Sequence, residues 1–157
     1  MGMDLAGFNS APAGEVRPML TACLSVPRWV DTVLAGRPYR SMDALVNAAA
    51  AVSPLDPAET RRAIEAHPRI GERAAGWSRA EQSGVDDDAA ERFREANAEY
   101  EHRFGHVYLV CAAGRDGDEL LADLRSRMAN DPETELAVAG RELLKIAVRR
   151  LRKAVLS

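Results

Sequence analysis

Residues 130–154 read NDPETELAVAGRELLKIAVRRLRKA and contain the strongest helix signal of the chain. Asp131 is a good N-cap residue, and Pro132 follows it at the first helical position, where a backbone N–H is not needed. Apolar residues then recur at spacings of three and four, which places them on one face of a helix. This apolar stripe consists of Leu136, Ala139, Leu143, Ile146, Ala147, Leu151 and Ala154. The stretch therefore predicts a long amphipathic helix that packs against other helices.

The segments before this helix show the same helical period. Ser41 can cap one helix, whose inward residues would be Leu45, Val46, Ala49 and Val52. A capping-box pattern at residues 56–59 starts another helix. That helix must end around Ala66 or His67, because Pro68 disfavours helical geometry in the residue before it. The pattern predicts helices separated by short connections.

Prolines and glycines set two boundaries near the start of the chain. Pro18 lies within an apolar stripe and is tolerable only if its helix begins near Glu15, which would place the ring in the first turn. A short helix is predicted over residues 27–35, closed by Gly36, and Pro38 prevents its continuation.

The second half of the chain contains one segment without helical period. A helix opening at residues 86–88 carries four aromatic or small residues on one face and is closed by Gly105. Those residues are Phe93, Ala96, Tyr100 and Phe104. The apolar run 106–112 could be extended, but it stands alone and cannot build a sheet. Asp118 is predicted to start a further helix, with Leu120, Leu121, Leu124 and Met128 inward.

These patterns predict an all-α fold, a single-domain helical bundle of about seven to nine helices over residues 1–157. The hydrophobic fraction of 46% and the charged fraction of 29% are typical of a soluble globular protein. The net charge of -3 argues against a nucleic-acid partner, and no apolar run is long enough to cross a membrane. Cys23 and Cys111 show no paired spacing, so we expect two reduced core residues in a cytoplasmic protein, without metal.

Three polar residues stand out as candidates for chemistry. His67 would lie at a helix C-terminus, which stabilises a protonated imidazole, although a simple capping role explains it as well. Glu81 completes a second capping box with Ser78, and that helix start could also bind an anionic or amide-rich ligand together with Gln82. Arg150 falls within the apolar stripe of the last helix, where it should either pair with a buried carboxylate or bind a carboxylate substrate. An imidazole, a carboxylate and an arginine suit proton-transfer chemistry on a small anion.

Several motifs resemble those of the OHCU decarboxylases, enzymes of uric acid breakdown that act on 2-oxo-4-hydroxy-4-carboxy-5-ureidoimidazoline (OHCU). The central motif is His67-Pro68-Arg69-Ile70-Gly71-Glu72-Arg73, followed by Ser78-Arg79-Ala80-Glu81-Gln82. The later motifs are residues 97–100, 104–112, 127–131 with Glu133 and Glu135, and 145–151. The resemblance also includes residues 8–9, 23–29 and 37–39, so that it covers nearly the whole chain in order.

The resemblance implies an all-α homodimer that decarboxylates OHCU to (S)-allantoin without a cofactor or metal. It implies that His67 is the main acid/base residue and that Glu81 is its catalytic partner. The implied substrate-binding residues are Pro68, Ser78, Gln82, Leu109, Val110, Cys111 and Arg150. At Leu109, Val110 and Cys111 the backbone would make the contact. Apart from the second copy of the chain in the homodimer, the partner of the protein would be this small-molecule substrate, with no nucleic acid and no membrane.

Two departures from the family pattern concern the packing near the pocket. Leu24 stands in a Ala22-Cys23-Leu24-Ser25 stretch where members often have Cys-Cys-Gly-Ser, and His106 stands where they often have a second aromatic residue. Two other functions stay open on the sequence alone: a related carboxy-lyase or hydrolase acting on another ureido or imidazole acid, and a non-catalytic helical adaptor.

Overall fold

Eight helices form nearly all the regular structure in residues 3–66 and 87–156, the part of the chain that the computed structural model describes. In chain order they are α1 (Leu5–Ser10), α2 (Ala13–Cys23), α3 (Pro27–Ala35), α4 (Met42–Ala50), α5 (Pro57–Glu65), α6 (Asp87–Phe104), α7 (Gly117–Arg127) and α8 (Pro132–Ala154). The predicted all-α class is confirmed. None of the described helices is both long and apolar enough to span a bilayer.

Two short strands bring the ends of the described chain together. Strand β1 (Met3–Asp4) pairs in parallel with β2 (Val155–Leu156), and Met3 lies opposite Val155. The sequence analysis did not predict this pairing, because a two-residue strand is too short to show an alternating pattern.

Helix α8 is the central element of the fold and packs against α2, α4 and α5. Its buried face includes the predicted Leu136, Ala139, Leu143, Ala147 and Leu151. Gly140 allows α5 to approach closely, since a Cβ at this position would lie 3.1 Å from the Thr60 hydroxyl oxygen. The large core of the protein therefore lies between α8 and helices α1–α5.

The predicted helix starts agree with the capping geometry. The Ser41 hydroxyl accepts a hydrogen bond from the backbone N–H of Ala44, at 3.1 Å. The Asp56 carboxylate accepts one from Glu59, and the Glu59 side chain accepts one from the backbone N–H of Asp56, which completes the capping box. Capping depends only on residues within one turn, so the local sequence is sufficient to predict it.

Two predicted boundaries are wrong. Helix α2 begins at Ala13 rather than near Glu15, so Pro18 lies in its second turn. The helix tolerates this proline because the carbonyl that loses its donor belongs to Gly14, in the exposed first turn. Helix α7 begins at Gly117, because the Asp116 carboxylate caps it by accepting from the backbone N–H of Glu119. Several residues predicted to lie inward are only partly buried: Met19, Val46, Met128, Ile146 and Ala154.

Residues 107–112 form a segment without helix, turn or bend between α6 and α7. The side chain of Leu109 is buried in the large core. Those of Tyr108 and Val110 are buried in a second, smaller core formed with α6 and α7. Side chains that alternate between two sides are typical of extended backbone, as the sequence predicted for this run. We call residues 107–112 the extended segment.

A pair of glycine substitutions tests the packing of the N-terminal half. A Cβ at Gly36 would lie 2.2 Å from the Tyr39 hydroxyl oxygen, which is buried and donates to the Val33 carbonyl. Gly36→Ala should therefore lower the free energy of unfolding by about 1–3 kcal/mol, as other overpacked sites do. At Gly14 a Cβ would meet nothing within 4 Å, so Gly14→Ala should raise it by up to about 1 kcal/mol. Urea denaturation of both variants measures the two changes, and equal effects would contradict the packing argument.

Candidate active site

The structure describes four of the nine predicted site residues. Leu109, Val110 and Cys111 lie in the extended segment, and Arg150 lies near the end of α8. The other five lie outside the described residues: His67, Pro68, Ser78, Glu81 and Gln82. The described part of the candidate site therefore consists of the extended segment and the end of α8.

The end of α5 lies beside the beginning of the extended segment. A cavity of about 260 Å³ separates them, lined by Arg61, Ile64 and Glu65 on one side and by residues 104–107 on the other. Helix α5 ends at Glu65 with Ala66 as its C-cap, close to the predicted end at Ala66 or His67. The C-terminal end of α5 therefore lies next to the beginning of the extended segment.

Two charged side chains hold the backbone of the extended segment. The Arg127 guanidinium donates from Nη1 to the Leu109 carbonyl oxygen at 2.6 Å. The backbone N–H of Cys111 donates to Oε1 of Glu142 at 3.0 Å, and Lys145 Nζ donates to the other oxygen of that carboxylate at 2.6 Å. Hydrogen bonds to charged groups are stronger than those between neutral groups, so the segment is fixed at two points.

Arg127 is itself held by a buried carboxylate. The Glu135 side chain is fully buried, and that of Arg127 is only 6% exposed. Arg127 donates to Oε2 of Glu135 from Nε at 2.8 Å and from Nη2. The same carboxylate accepts from the Tyr100 hydroxyl and, at 3.0 Å, from the Asn130 amide. The cost of burying two charges is thus offset by their pairing and by further hydrogen bonds.

Burial and the Glu135 carboxylate shift the pKa of Arg127 and of Tyr100. Burial alone would lower the pKa of Arg127, but the hydrogen bond and charge of Glu135 outweigh it and raise the pKa. Burial raises the pKa of Tyr100, as does its hydrogen bond to Glu135, while the charge of Arg127 opposes the rise. The guanidinium therefore stays charged and the phenol neutral across the physiological range.

Tyr108 forms a second polar contact in the smaller core. Its hydroxyl donates to the Asp123 carboxylate, and the Arg127 guanidinium lies over its ring, 4.7 Å from the centroid. Burial raises the pKa of Tyr108, and the hydrogen bond and charge of Asp123 raise it further. The extended segment is thus fixed through a side chain as well as through its backbone.

Alkaline titration of the tyrosines tests these environments. The chain has three tyrosines, and burial raises the pKa of Tyr39, Tyr100 and Tyr108 above the ordinary 10.0. The folded protein holds these protons more tightly than the unfolded chain, so their contribution to stability is complete below pH about 10 and decreases as the pH rises above it. At pH about 10.5 we expect much less phenolate absorbance from the native protein than from the protein in denaturant, because the pKa of each tyrosine is raised in the fold. Normal titration of the native protein would contradict the burial of all three.

The predicted inward position of Arg150 is wrong. Its side chain is exposed and donates from Nη1 to the Ala22 carbonyl oxygen at the end of α2, at 3.2 Å. No described carboxylate pairs with it, so the buried ion pair considered as an alternative is absent from residues 3–66 and 87–156. The apolar stripe of α8 narrows at this end, where Ile146 is already half-exposed. Arg150 is therefore available to an anion at the surface.

Arg150 lies close to one of the two cysteines. Burial raises the pKa of the Cys23 thiol, and the positive charge of Arg150 partly opposes this. Both cysteines are free; Cys23 is buried as predicted, but Cys111 is only half-buried. No three His, Cys, Asp or Glu side chains of the described ranges are grouped to hold a metal ion.

The two histidines of the described residues have different environments. His102 is exposed on α6, whereas His106 is half-buried at the bend after that helix. The His106 ring stacks on Phe104, and its Nδ1 lies 3.0 Å from the Val107 carbonyl oxygen. At this departure from the family pattern, the imidazole continues an aromatic cluster with Phe104 and Tyr100.

Glu135, Glu142 and Arg127 are the site residues that sequence reasoning missed. They are buried, and they determine where the extended segment lies. Glu135 and Glu142 are seven residues apart and adjoin Leu136 and Leu143 at the edge of the apolar stripe. That spacing is a weak signal for the burial of the two glutamates, because it equally fits a solvated helix face. Arg127 and Glu135 also lie in one of the family motifs, but the motif does not indicate that they are buried.

The described helices define an all-α protein. The described part of its candidate site consists of the backbone of the extended segment and the side chain of Arg150. A family model described as OHCU decarboxylase matches residues 9–152. The chain therefore belongs to the OHCU decarboxylase family, whose members are carboxy-lyases.

Individual relatives agree with this membership. The chain is 29% identical to a 2-oxo-4-hydroxy-4-carboxy-5-ureidoimidazoline decarboxylase of Amia calva, over 98% of this chain and 95% of that protein. It is 34% identical over 103 residues to a uric acid degradation bifunctional protein of Arabidopsis thaliana, covering 58% of this chain and about a third (32%) of that protein.

A solved structure shares the fold. A crystal structure of an OHCU decarboxylase in the presence of (S)-allantoin superimposes with a TM-score of 0.73, at 24% identity. The match covers 85% of this chain and 94% of the other. At this identity the likeness supports the helical architecture alone.

Proposed function

We propose that this chain decarboxylates OHCU to (S)-allantoin in uric acid degradation. The observation that carries the proposal is the family match over residues 9–152, which includes every residue predicted for the site. The geometry is compatible with it, because α8 contacts both the extended segment, through Glu142, and the end of α2, through Arg150. These two α8 positions are about 12 Å apart along the helix axis. This distance leaves room for a small ligand between the extended segment and the end of α2.

OHCU provides its own electron sink. Its carboxylate and hydroxyl share one ring carbon, next to a C=N bond. When the bond to the carboxylate breaks, carbon dioxide leaves and its electron pair forms a new C=C bond, while the imine nitrogen takes up a proton. The hydroxyl then loses its proton to become a carbonyl, and the ureido-bearing carbon is protonated. The protein has only to orient the ring and move protons, so the side chains suffice.

The proposed roles follow from residue chemistry. His67 and Glu81 would share the proton transfers, each worth about 10²–10⁴-fold in rate. Pro68, Ser78 and Gln82 would line the pocket and, with the backbone of the extended segment, bind the urea-like edges. Arg150 would hold the carboxylate, a role that its exposed guanidinium permits. The homodimer and the independence of a cofactor stay predictions from the resemblance, and the cytoplasmic location stays a prediction from the unpaired cysteines.

Circular dichroism on freshly generated OHCU tests the proposal. OHCU decays spontaneously to racemic allantoin, so the enzyme should produce one enantiomer and a rate above the uncatalysed one. A signal that rises with protein and not without it is the expected result. Optically silent decay at the spontaneous rate in both samples would reject the function, and other ureido or imidazole acids would then be tested.

A further inference from the structure

The two backbone contacts of the extended segment lie on the same edge of the chain. Leu109 contributes its carbonyl, and Cys111 contributes its N–H. In extended backbone the N–H and C=O of one residue point to one edge, and those of the next residue point to the other. Residues 109 and 111 therefore direct their groups toward Arg127 and Glu142, while Val110 directs its N–H and C=O to the opposite edge.

The backbone N–H and C=O of Val110 differ in their hydrogen bonding from the backbone groups of Leu109 and Cys111. Within residues 3–66 and 87–156, neither its N–H nor its C=O has a hydrogen-bond partner. The residue is nonetheless only 3% exposed, and buried backbone groups in proteins are nearly always paired. An N–H donor next to a C=O acceptor is complementary to a ureido or amide group, which has the same two functions.

We propose that Glu142 is a positioning residue of the active site: its carboxylate, by holding the Cys111 N–H, presents the Val110 peptide edge to the ureido part of the substrate. This inference rests on the proposed function. Glu142 reaches the backbone at 3.0 Å from a buried position, and its second oxygen is occupied by Lys145. The contact requires an acceptor oxygen at this distance from the helix, which the side chain of a glutamine also offers.

Two conservative substitutions separate reach from charge. Glu142→Gln keeps an oxygen at the same distance and loses the charge, whereas Glu142→Asp keeps the charge and shortens the side chain by one methylene. We expect kcat/KM for OHCU to fall about 10–100-fold in the Asp variant, mainly through KM, and to stay within about 3-fold of wild type in the Gln variant. Hydrogen exchange of the Cys111 amide should become faster in the Asp variant only.

Asp131→Ala is the matched control for lost stability. It removes another carboxylate–N–H bond at the start of the same helix, the one to Thr134, without contacting the extended segment. Its melting temperature should fall, while its KM and kcat at 25 °C stay at the wild-type values.

The outcomes distinguish this inference from the proposed function. A wild-type protein that does not turn over OHCU removes both. An active wild type with a folded, fully active Asp variant overturns the positioning role and leaves the function standing. Equal losses in the Asp and Gln variants would also overturn it, because the activity would then respond to any change at position 142 and not specifically to the reach of the side chain. An impaired Asp variant beside an active Gln variant and an unaffected Asp131→Ala protein establishes it.

Discussion

Glu135→Ala is expected to lower the free energy of unfolding by about 3–5 kcal/mol, because it removes the fully buried carboxylate that pairs with the Arg127 guanidinium. The Asp123 carboxylate, which is partly exposed and lies 3.5 Å from Nη1 of Arg127, does not replace the hydrogen bonds that Glu135 accepts from Nε and Nη2. The substitution also removes the acceptor of the Tyr100 hydroxyl and of the Asn130 amide. A loss of this size is a large part of the stability of an ordinary domain. Chemical denaturation monitored by tryptophan fluorescence measures it.

Glu133→Ala is the matched control for this effect. The same change occurs in the same helix, but Glu133 is exposed in the first turn of α8, where a carboxylate contributes at most about 1 kcal/mol through the helix dipole. Equal losses in both variants would show that the Arg127–Glu135 pair has no special importance. A double variant, Arg127→Met with Glu135→Leu, should lose less than the sum of the single variants, because it leaves no unpaired charge.

His67→Asn is expected to lower kcat/KM for OHCU by about 10²–10⁴-fold, because asparagine cannot exchange protons near neutral pH. Position 67 follows the last cap residue of α5, so the substitution should leave the eight described helices folded. The circular dichroism assay measures the loss as the disappearance of enantiomeric excess, since the spontaneous reaction still gives racemic allantoin.

His102→Asn provides the control for the histidine replacement. His102 is exposed on α6, and the same change there should leave both the rate and the handedness of the product at wild-type values. A His67→Asn protein that still produces one enantiomer at the wild-type rate would remove His67 from the acid/base chemistry. The function would then have to depend on Glu81 or on another group.

The candidate site was only partly predictable from the sequence. The family resemblance named the extended segment and Arg150, but the helical period placed the arginine side chain inward, and it is exposed. Periodicity locates the face of a helix and assumes that this face is covered along its whole length. Near the C-terminal end of α8, the rest of the protein covers a smaller part of the helix circumference. The helical period that buries Leu143 therefore leaves the side chain of Arg150 exposed.

What the sequence by itself determined are the features that depend on neighbours within a turn: the all-α class, the caps at Ser41, Asp56 and Asp131, and the termination of α6 at Gly105, whose φ of 77° suits glycine. Only the tertiary structure decided that Arg127, Glu135 and Glu142 are buried and hold the extended segment. A charged side chain is stable inside a protein only when its partners surround it. Tyr100 and the Leu109 carbonyl come from parts of the chain that the local sequence around those charges does not contain.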